Sequence, residues 1–141
     1  MISLAPLHDV MARTGLDALV LVPGANFRRV FAKDFHQMER PLEVIVPREG
    51  QPVAIVPNLE MASFAPIGFP GQVFDWRDEK GYMGAFEAAG AALPQLQKDC
   101  RIGVEGQRML LAHGVLHGHG HGCPCAAAIG DVVKVLGILH R

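Results

Sequence analysis

The sequence predicts an α/β domain whose mixed β-sheet has about five or six strands, including one hairpin, and is flanked by helices. Short apolar runs rich in β-branched residues alternate with stretches in which apolar residues recur at helical spacing. Two of the runs are separated by only a few residues around a glycine, which indicates a hairpin. Strands that alternate with helices, together with one hairpin, favour a mixed sheet covered by helices.

The composition is typical of one globular domain. The chain has 141 residues, of which 50% are hydrophobic and 19% charged, so it is long enough for a core and too apolar for disorder. Its formal net charge of -1 gives no electrostatic reason to expect a nucleic-acid or anionic membrane partner. No apolar run approaches the roughly 18 residues of a membrane span, and the N-terminus lacks a secretory signal pattern. Three cysteines do not form a disulfide framework, and cytoplasmic residence is the expectation.

The first quarter of the chain predicts a helix, a strand and a second short helix. A helical stripe of apolar residues covers Ile2 to Thr14, and Gly15 follows as its C-terminal stop. Leu16 to Val22 is a short run with β-branched residues, which is typical of a strand buried on both faces. A short helix over 26–31 is predicted to begin with Asn26 as its cap.

The predicted hairpin comes next. Leu42 to Val46 and Val53 to Val56 are apolar runs, and a proline closes each of them. The residues between them, 48–51, predict the turn, in which Gly50 can take a positive φ.

The rest of the chain predicts three more strands and four more helices. The predicted strands are Gln72–Trp76, Arg101–Glu105 and Cys123–Ala127. The predicted helices run from Asn58 to about Ala65, from Tyr82 to Gln97, from Arg108 to His117 and from Asp131 to His140.

This order of elements resembles the N-terminal domain of the creatinase, prolidase and Xaa-Pro aminopeptidase family across essentially the whole chain. The segment Gly15 to Glu60 carries most of the resemblance, with an Asn26-Phe27 turn after the first strand. The Ile102–Glu105 strand is also characteristic of the family. Family members continue the turn with a tyrosine, where this sequence has Arg29.

The resemblance implies that this chain alone is not an enzyme. In the family, a C-terminal pita-bread domain holds a dinuclear metal centre that activates the water for cleavage before proline. This sequence ends at Arg141, about where the family's linker to that domain begins. We therefore expect a single domain over 1–141, either excised or a shortened gene product, with no catalytic residue and no cofactor of its own.

The resemblance also implies a role in contact. In family oligomers this domain builds much of the subunit interface and lends residues to the rim of a neighbour's active site. The expected partners are a second copy or a full-length peptidase subunit, and the peptide substrate of the parent enzyme. The expected rim residues lie in two loops and are His36, Arg40, Trp76 and Arg77.

These rim residues are chosen for their chemistry. A ring beside an arginine suits the apolar groups and the carboxylate of a peptide. The competing interpretation is that Trp76 caps the core and His36 is an ordinary surface residue.

A His/Cys cluster over 113–125 supports an alternative function as a stand-alone metal-binding module. Imidazole and thiolate are ligands that zinc, nickel and copper(I) prefer. The candidate ligands are His117, His119, His121, Cys123 and Cys125. The spacing matches neither paired CxxC motifs nor HExxH, and the alternating glycines leave the backbone loose. A loop with adventitious affinity for metals is therefore the competing interpretation.

Overall fold

A computed structural model of the chain describes residues 2–35, 40–96 and 101–104. Within these ranges it contains five strands: β1 Ala18–Leu21, β2 Glu43–Pro47, β3 Val53–Pro57, β4 Gln72–Trp76 and β5 Ile102–Val104. They form one sheet in the order β4-β3-β2-β1-β5. The predicted α/β class, with a mixed sheet and helices around it, is confirmed.

Four α-helices accompany the strands in the described part of the chain: α1 Ala5–Thr14, α2 Ala25–Phe31, α3 Met61–Phe64 and α4 Met83–Ala91. Short 3-10 turns, Asn58–Glu60 and Ala65–Ile67, flank α3. None of these helices is long and apolar enough to cross a lipid bilayer.

One edge of the sheet collects the ends of most strands. β1 pairs parallel with β5, β3 pairs parallel with β4, and β2 runs antiparallel between β1 and β3. Four strands therefore end at the same edge, and β2 begins there with Glu43. We call this the carboxyl edge; it lies beyond Leu21, Pro57, Trp76 and Val104.

The first face of the sheet is covered by α1, α2 and α3. Each helix brings an apolar stripe or ring to this face, because its sequence repeats apolar residues at helical spacing. The helical side chains buried there are Leu7, Val10, Met11, Phe27, Phe31 and Phe64. They pack on alternate residues of the central strands, such as Leu19 and Val44. Burial of each large side chain contributes about 1.5–3 kcal/mol.

The second face of the sheet is covered by α4. Phe86 and Ala89 of this helix pack on the other set of alternate strand residues, which includes Val20, Ile45 and Ile55. Strands that are buried on both faces read as continuous apolar runs, which explains why their sequence showed little alternation.

The hairpin and its turn are confirmed. β2 and β3 pair antiparallel with Ile45 opposite Val53, and residues 48–52 connect them. Gly50 has φ +94°, the left-handed region that a glycine adopts without strain. The Gln95 amide donates a hydrogen bond to the Glu49 carbonyl (2.8 Å), which ties the turn to the segment after α4.

The predicted helix starts need correction. α1 begins at Ala5, later than expected at Ile2, with Pro6 in its first turn. α2 has Gly24 at its N-cap and no side-chain cap, so the prediction that Asn26 caps it is wrong. Gly15 does end α1 in a left-handed conformation, as predicted.

Two predicted helices are shorter than expected. The helix over Asn58 to Ala65 divides into a 3-10 turn, α3 and a second 3-10 turn. α4 ends at Ala91 instead of Gln97, because Pro94 cannot continue the helix and disfavours helical backbone at the residue before it. The predicted elements over 108–117, 123–127 and 131–140 lie outside the described residues.

Candidate functional site at the carboxyl edge

A pocket of about 150 Å³ opens at the carboxyl edge, next to the ends of β3 and β4. Its lining comes from the residues that follow these two strands: Pro57, Asn58, Leu59, Trp76, Arg77, Asp78 and Glu79. The two strands are parallel and in register, with Pro57 beside Trp76, so the segments after them emerge together. Ligand sites of open α/β sheets lie outside the carboxyl ends of the strands, which is where this pocket lies.

Trp76 belongs both to the core and to the pocket. It is 8% exposed and packs in the second face, with Tyr82 edge-on to its ring at 5.8 Å. Its indole Nε1–H donates a hydrogen bond to the Pro41 carbonyl (3.1 Å). Most of the Trp76 side chain is buried, which agrees with the interpretation that it caps the core. Trp76 is also one of the residues that line the pocket.

Arg40 is held by Asp78 at the same edge. Its Nε lies 2.8 Å from Oδ1, and its Nη2 lies 2.6 Å from Oδ2. This two-pronged geometry is the one in which a guanidinium best matches a carboxylate. The hydrogen bond from Arg40 lowers the pKa of Asp78. The pair therefore joins the segment before β2 to the segment after β4 and engages the Arg40 guanidinium.

Arg77 differs from Arg40. Its side chain is exposed and lines the pocket. Among the described residues its guanidinium has no hydrogen-bond or ion-pair partner. Its carbonyl accepts hydrogen bonds from the Lys80 and Gly81 amides (3.0 and 2.9 Å), which fix the turn that carries it. Arg77 is thus a cation on an ordered turn.

The opposite wall of the pocket follows β3. Asn58 donates a side-chain hydrogen bond to Asp75 (3.1 Å), which joins the two walls. Leu59 is 70% exposed, a high value for a large aliphatic side chain. The pocket combines apolar surface from Pro57, Leu59 and Trp76 with the charge of Arg77.

The structure brings three of the four predicted rim residues to one edge. Arg40, Trp76 and Arg77 come together there through Asp78 and Pro41, although 36 positions separate Arg40 from Trp76 in sequence. His36 lies outside the described residues.

The candidate metal ligands at positions 117, 119, 121, 123 and 125 also lie outside the described residues. Over 2–35, 40–96 and 101–104, no three or more His, Cys, Asp or Glu side chains are grouped to hold a metal ion.

Sequence reasoning missed Glu43. This carboxyl is 2% exposed, and its Oε2 has no hydrogen-bond partner among the residues that the structure describes. Burial raises its pKa from 4.5 to about 8. The sequence did contain a sign of this unusual residue, since Glu43 is the one acidic residue between Leu42 and Val44 in a run predicted to be a strand. A charge in a strand buried on both faces breaks the expected pattern.

No protein-family model and no curated protein matches this sequence. Its structure, however, has the fold of the creatinase/prolidase N-terminal domain. The N-terminal domain of an Xaa-Pro dipeptidase from Lactobacillus brevis is similar with a TM-score of 0.71 at 15% identity. The similarity covers 93% of this chain and 97% of that one.

Two further structures give the same result. The creatinase/prolidase N-terminal domain of an X-Pro dipeptidase from Streptococcus pyogenes has a TM-score of 0.61 and 22% identity, over 81% of this chain and 86% of that one. The dipeptidase PepE from Mycobacterium ulcerans has a TM-score of 0.67 and 24% identity, over 93% of this chain. This chain spans 34% of the length of PepE. The fold that the sequence resemblance implied is therefore confirmed.

Proposed function

We propose that this chain is the N-terminal domain of a prolidase-like Xaa-Pro dipeptidase and that it acts by contact, with no catalysis of its own. The shared fold supports the parentage, because solved neighbours include N-terminal domains of Xaa-Pro dipeptidases. The observation that carries the role in contact is the pocket at the carboxyl edge, where Arg77 stands beside Trp76 and Leu59. In this proposal the dinuclear metal centre belongs to a catalytic half.

The pocket suits a peptide with a free carboxylate. The guanidinium of Arg77 offers paired donors that fit a carboxylate, and Trp76, Pro57 and Leu59 offer apolar surface to a side chain or a proline ring. Arg40 engages Asp78 and therefore positions the loop before β2. We assign binding to Arg77 and Trp76 and positioning to Arg40. His36 stays a predicted rim residue.

The proposed macromolecular partner is a second copy of this chain or a full-length peptidase subunit. Leu59, which follows β3 at the carboxyl edge, is 70% exposed, and Met83, the first residue of α4, is 46% exposed. Large apolar side chains with this much exposure are candidates for a contact surface. Cytoplasmic residence and the lack of a nucleic-acid or membrane partner stay predictions.

Peptide contact is tested by NMR titration of the 141-residue chain with an Xaa-Pro dipeptide and with its C-terminal amide. The chain has one tryptophan, so its indole N–H gives a single signal that reports on the pocket. We expect the free dipeptide to shift this signal and the amide to shift it at least about fivefold less, since a charge-assisted hydrogen bond is lost. Arg77→Ala abolishes the difference, whereas Lys80→Ala, a neighbouring exposed cation, preserves it. Equal shifts for both ligands contradict the role of Arg77.

Assembly is tested by sedimentation velocity over a range of concentrations. We expect association that Leu59→Asp abolishes and that Ala12→Asp, an exposed site on α1, leaves unchanged. A strict monomer that also fails to bind a full-length prolidase contradicts the proposal. Hydrolysis of Xaa-Pro dipeptides by the chain alone contradicts it as well.

A further inference from the structure

The buried carboxyl of Glu43 lies on the second face of the sheet. Side chains alternate along β2: Val44 packs in the first face and Ile45 in the second, so Glu43 faces the same side as Ile45. The strand register places Glu43 opposite Ile55 on β3, and Ile55 beside Phe74 on β4. Glu43 thus begins a row of otherwise apolar side chains.

Trp76 lies in the next row of side chains toward the carboxyl edge. Pro57 pairs with Trp76, and Pro41 lies two residues before Glu43, at the position that continues the register of β2 toward Pro57. The indole of Trp76 spans this row, because its Nε1–H reaches the Pro41 carbonyl. One row therefore separates Glu43 from solvent at the carboxyl edge, and the Trp76–Pro41 hydrogen bond crosses that row.

The described elements around Glu43 provide no opposite charge on this face. The described strand residues that pack with it on this face are all apolar: Ala18, Val20, Ile45, Val53, Ile55, Phe74, Trp76 and Ile102, with Val22 just after β1. On α4 the acidic residue Glu87 is exposed, and the phenol Tyr82 just before it packs on the ring of Trp76. Asp75 of β4 is exposed and bonded to Asn58, and beyond Pro41 lies the Arg40–Asp78 pair. Within the described part of the chain, water is therefore the partner available to a negative Glu43 carboxylate.

We propose that Glu43 and Trp76 form a proton-controlled latch at the carboxyl edge. A neutral Glu43 leaves the indole seated against Pro41. An ionised Glu43 requires water, because an unpaired buried carboxylate is strongly unfavourable. Water can enter this row where the indole crosses it, so ionisation breaks the Trp76–Pro41 hydrogen bond. The raised pKa of Glu43, about 8, places the transition at mildly alkaline pH.

The latch is tested by the fluorescence of Trp76, the single tryptophan of the chain. Emission and acrylamide quenching are followed across roughly pH 6 to 10, a range that brackets the titration. We expect a red shift of the emission and stronger quenching with a midpoint near pH 8. Far-ultraviolet circular dichroism stays constant over the same range, because the change is local.

Matched variants separate Glu43 from other titrating groups. Glu43→Gln abolishes the transition and holds the emission at its acidic position. Glu49→Gln, an exposed glutamate in the hairpin turn, retains the transition, and so does Tyr82→Phe. Glu43→Leu serves as a second variant if the glutamine form does not fold. A wild-type emission independent of pH overturns the latch, as does a transition that persists without Glu43 or one accompanied by loss of circular dichroism.

The effect of the latch on peptide contact rests on the proposed function, because Trp76 lines the proposed peptide pocket. We expect the response of the indole N–H signal to an Xaa-Pro dipeptide to fall above the midpoint in wild type and to persist in Glu43→Gln. If the proposed function fails, no peptide response exists at any pH and the emission transition is unchanged. If the latch fails, the peptide response exists and is the same in both proteins.

Discussion

The two faces of the sheet differ in the chemistry of the side chains that the strands bury there. The buried side chains that the strands contribute to the first face are all apolar, and three helices cover them. The second face is covered by α4, and it includes the carboxyl of Glu43 and the indole N–H of Trp76. The second face carries groups whose burial costs free energy, and these lie at the edge that holds the pocket.

The largest expected effect is on the first face. Phe27 is fully buried and packs against Phe31, with ring centroids 4.7 Å apart. Phe27→Ala removes this ring and leaves a cavity, so we expect the free energy of unfolding to fall by about 3–5 kcal/mol in urea denaturation. The control Leu59→Ala, at an exposed position, changes stability by about 0.5 kcal/mol or less. A loss below about 1 kcal/mol for Phe27→Ala would mean that this face is loosely packed.

A pH series sharpens the comparison on the second face. Because the pKa of Glu43 is raised in the folded state to about 8, folding favours the protonated form. Its stabilising contribution is full below pH 4.5 and is lost as pH rises through 8. We expect the free energy of unfolding to fall by about 3 kcal/mol between pH 5 and pH 8, from 1.36 kcal/mol per pKa unit.

The Glu43→Gln variant is the control for that series. An amide does not titrate, so the stability of this variant should lack the decrease that wild type shows over the same pH range. A first-face variant such as Phe27→Ala should keep the wild-type slope. Parallel curves for wild type and Glu43→Gln would show that another group causes the pH dependence.

A smaller effect is expected where β4 meets β3. A Cβ on Gly71 would collide with the Pro52 carbonyl oxygen, so only glycine lets the start of β4 approach this closely. We expect Gly71→Ala to lower the free energy of unfolding by about 1–3 kcal/mol.

Gly84 provides a control substitution of the same kind. It lies in α4, and a Cβ there would meet no atom within 4 Å. Gly84→Ala should raise stability by about 0.5–1 kcal/mol, because alanine loses less backbone entropy in a helix. Equal losses for both variants, measured in urea, would show that the approach of β4 to β3 is not the constraint.

The elements that periodicity and turn chemistry specify were predictable. The hairpin around Gly50, the strand Gln72–Trp76 and the Gly15 stop of α1 follow from local signals. Helix starts were less predictable. Gly24 caps α2 in place of Asn26, because a capping side chain is only one of several ways to satisfy the first amides.

The candidate site was predictable only in part. The ring and arginine pattern indicated Arg40, Trp76 and Arg77, and the structure gathers all three at the carboxyl edge. The sequence did not indicate which of the two arginines is held in an ion pair. Asp78 forms its ion pair with Arg40 and not with its sequence neighbour Arg77. Arg40 lies just before β2, and β3 is the only strand between β2 and β4 in the sheet.

By itself, the sequence determined the class of fold and the position of the hairpin, and its order of elements resembled the creatinase/prolidase N-terminal fold. These depend on apolar spacing, glycine and proline, which act over a few residues. Only the tertiary structure decided that Glu43 is buried, with no partner for its Oε2 among the described residues, and that the Trp76 indole reaches the Pro41 carbonyl. Both facts depend on strand register, which sets neighbours far apart in the chain and shapes their exposure to water.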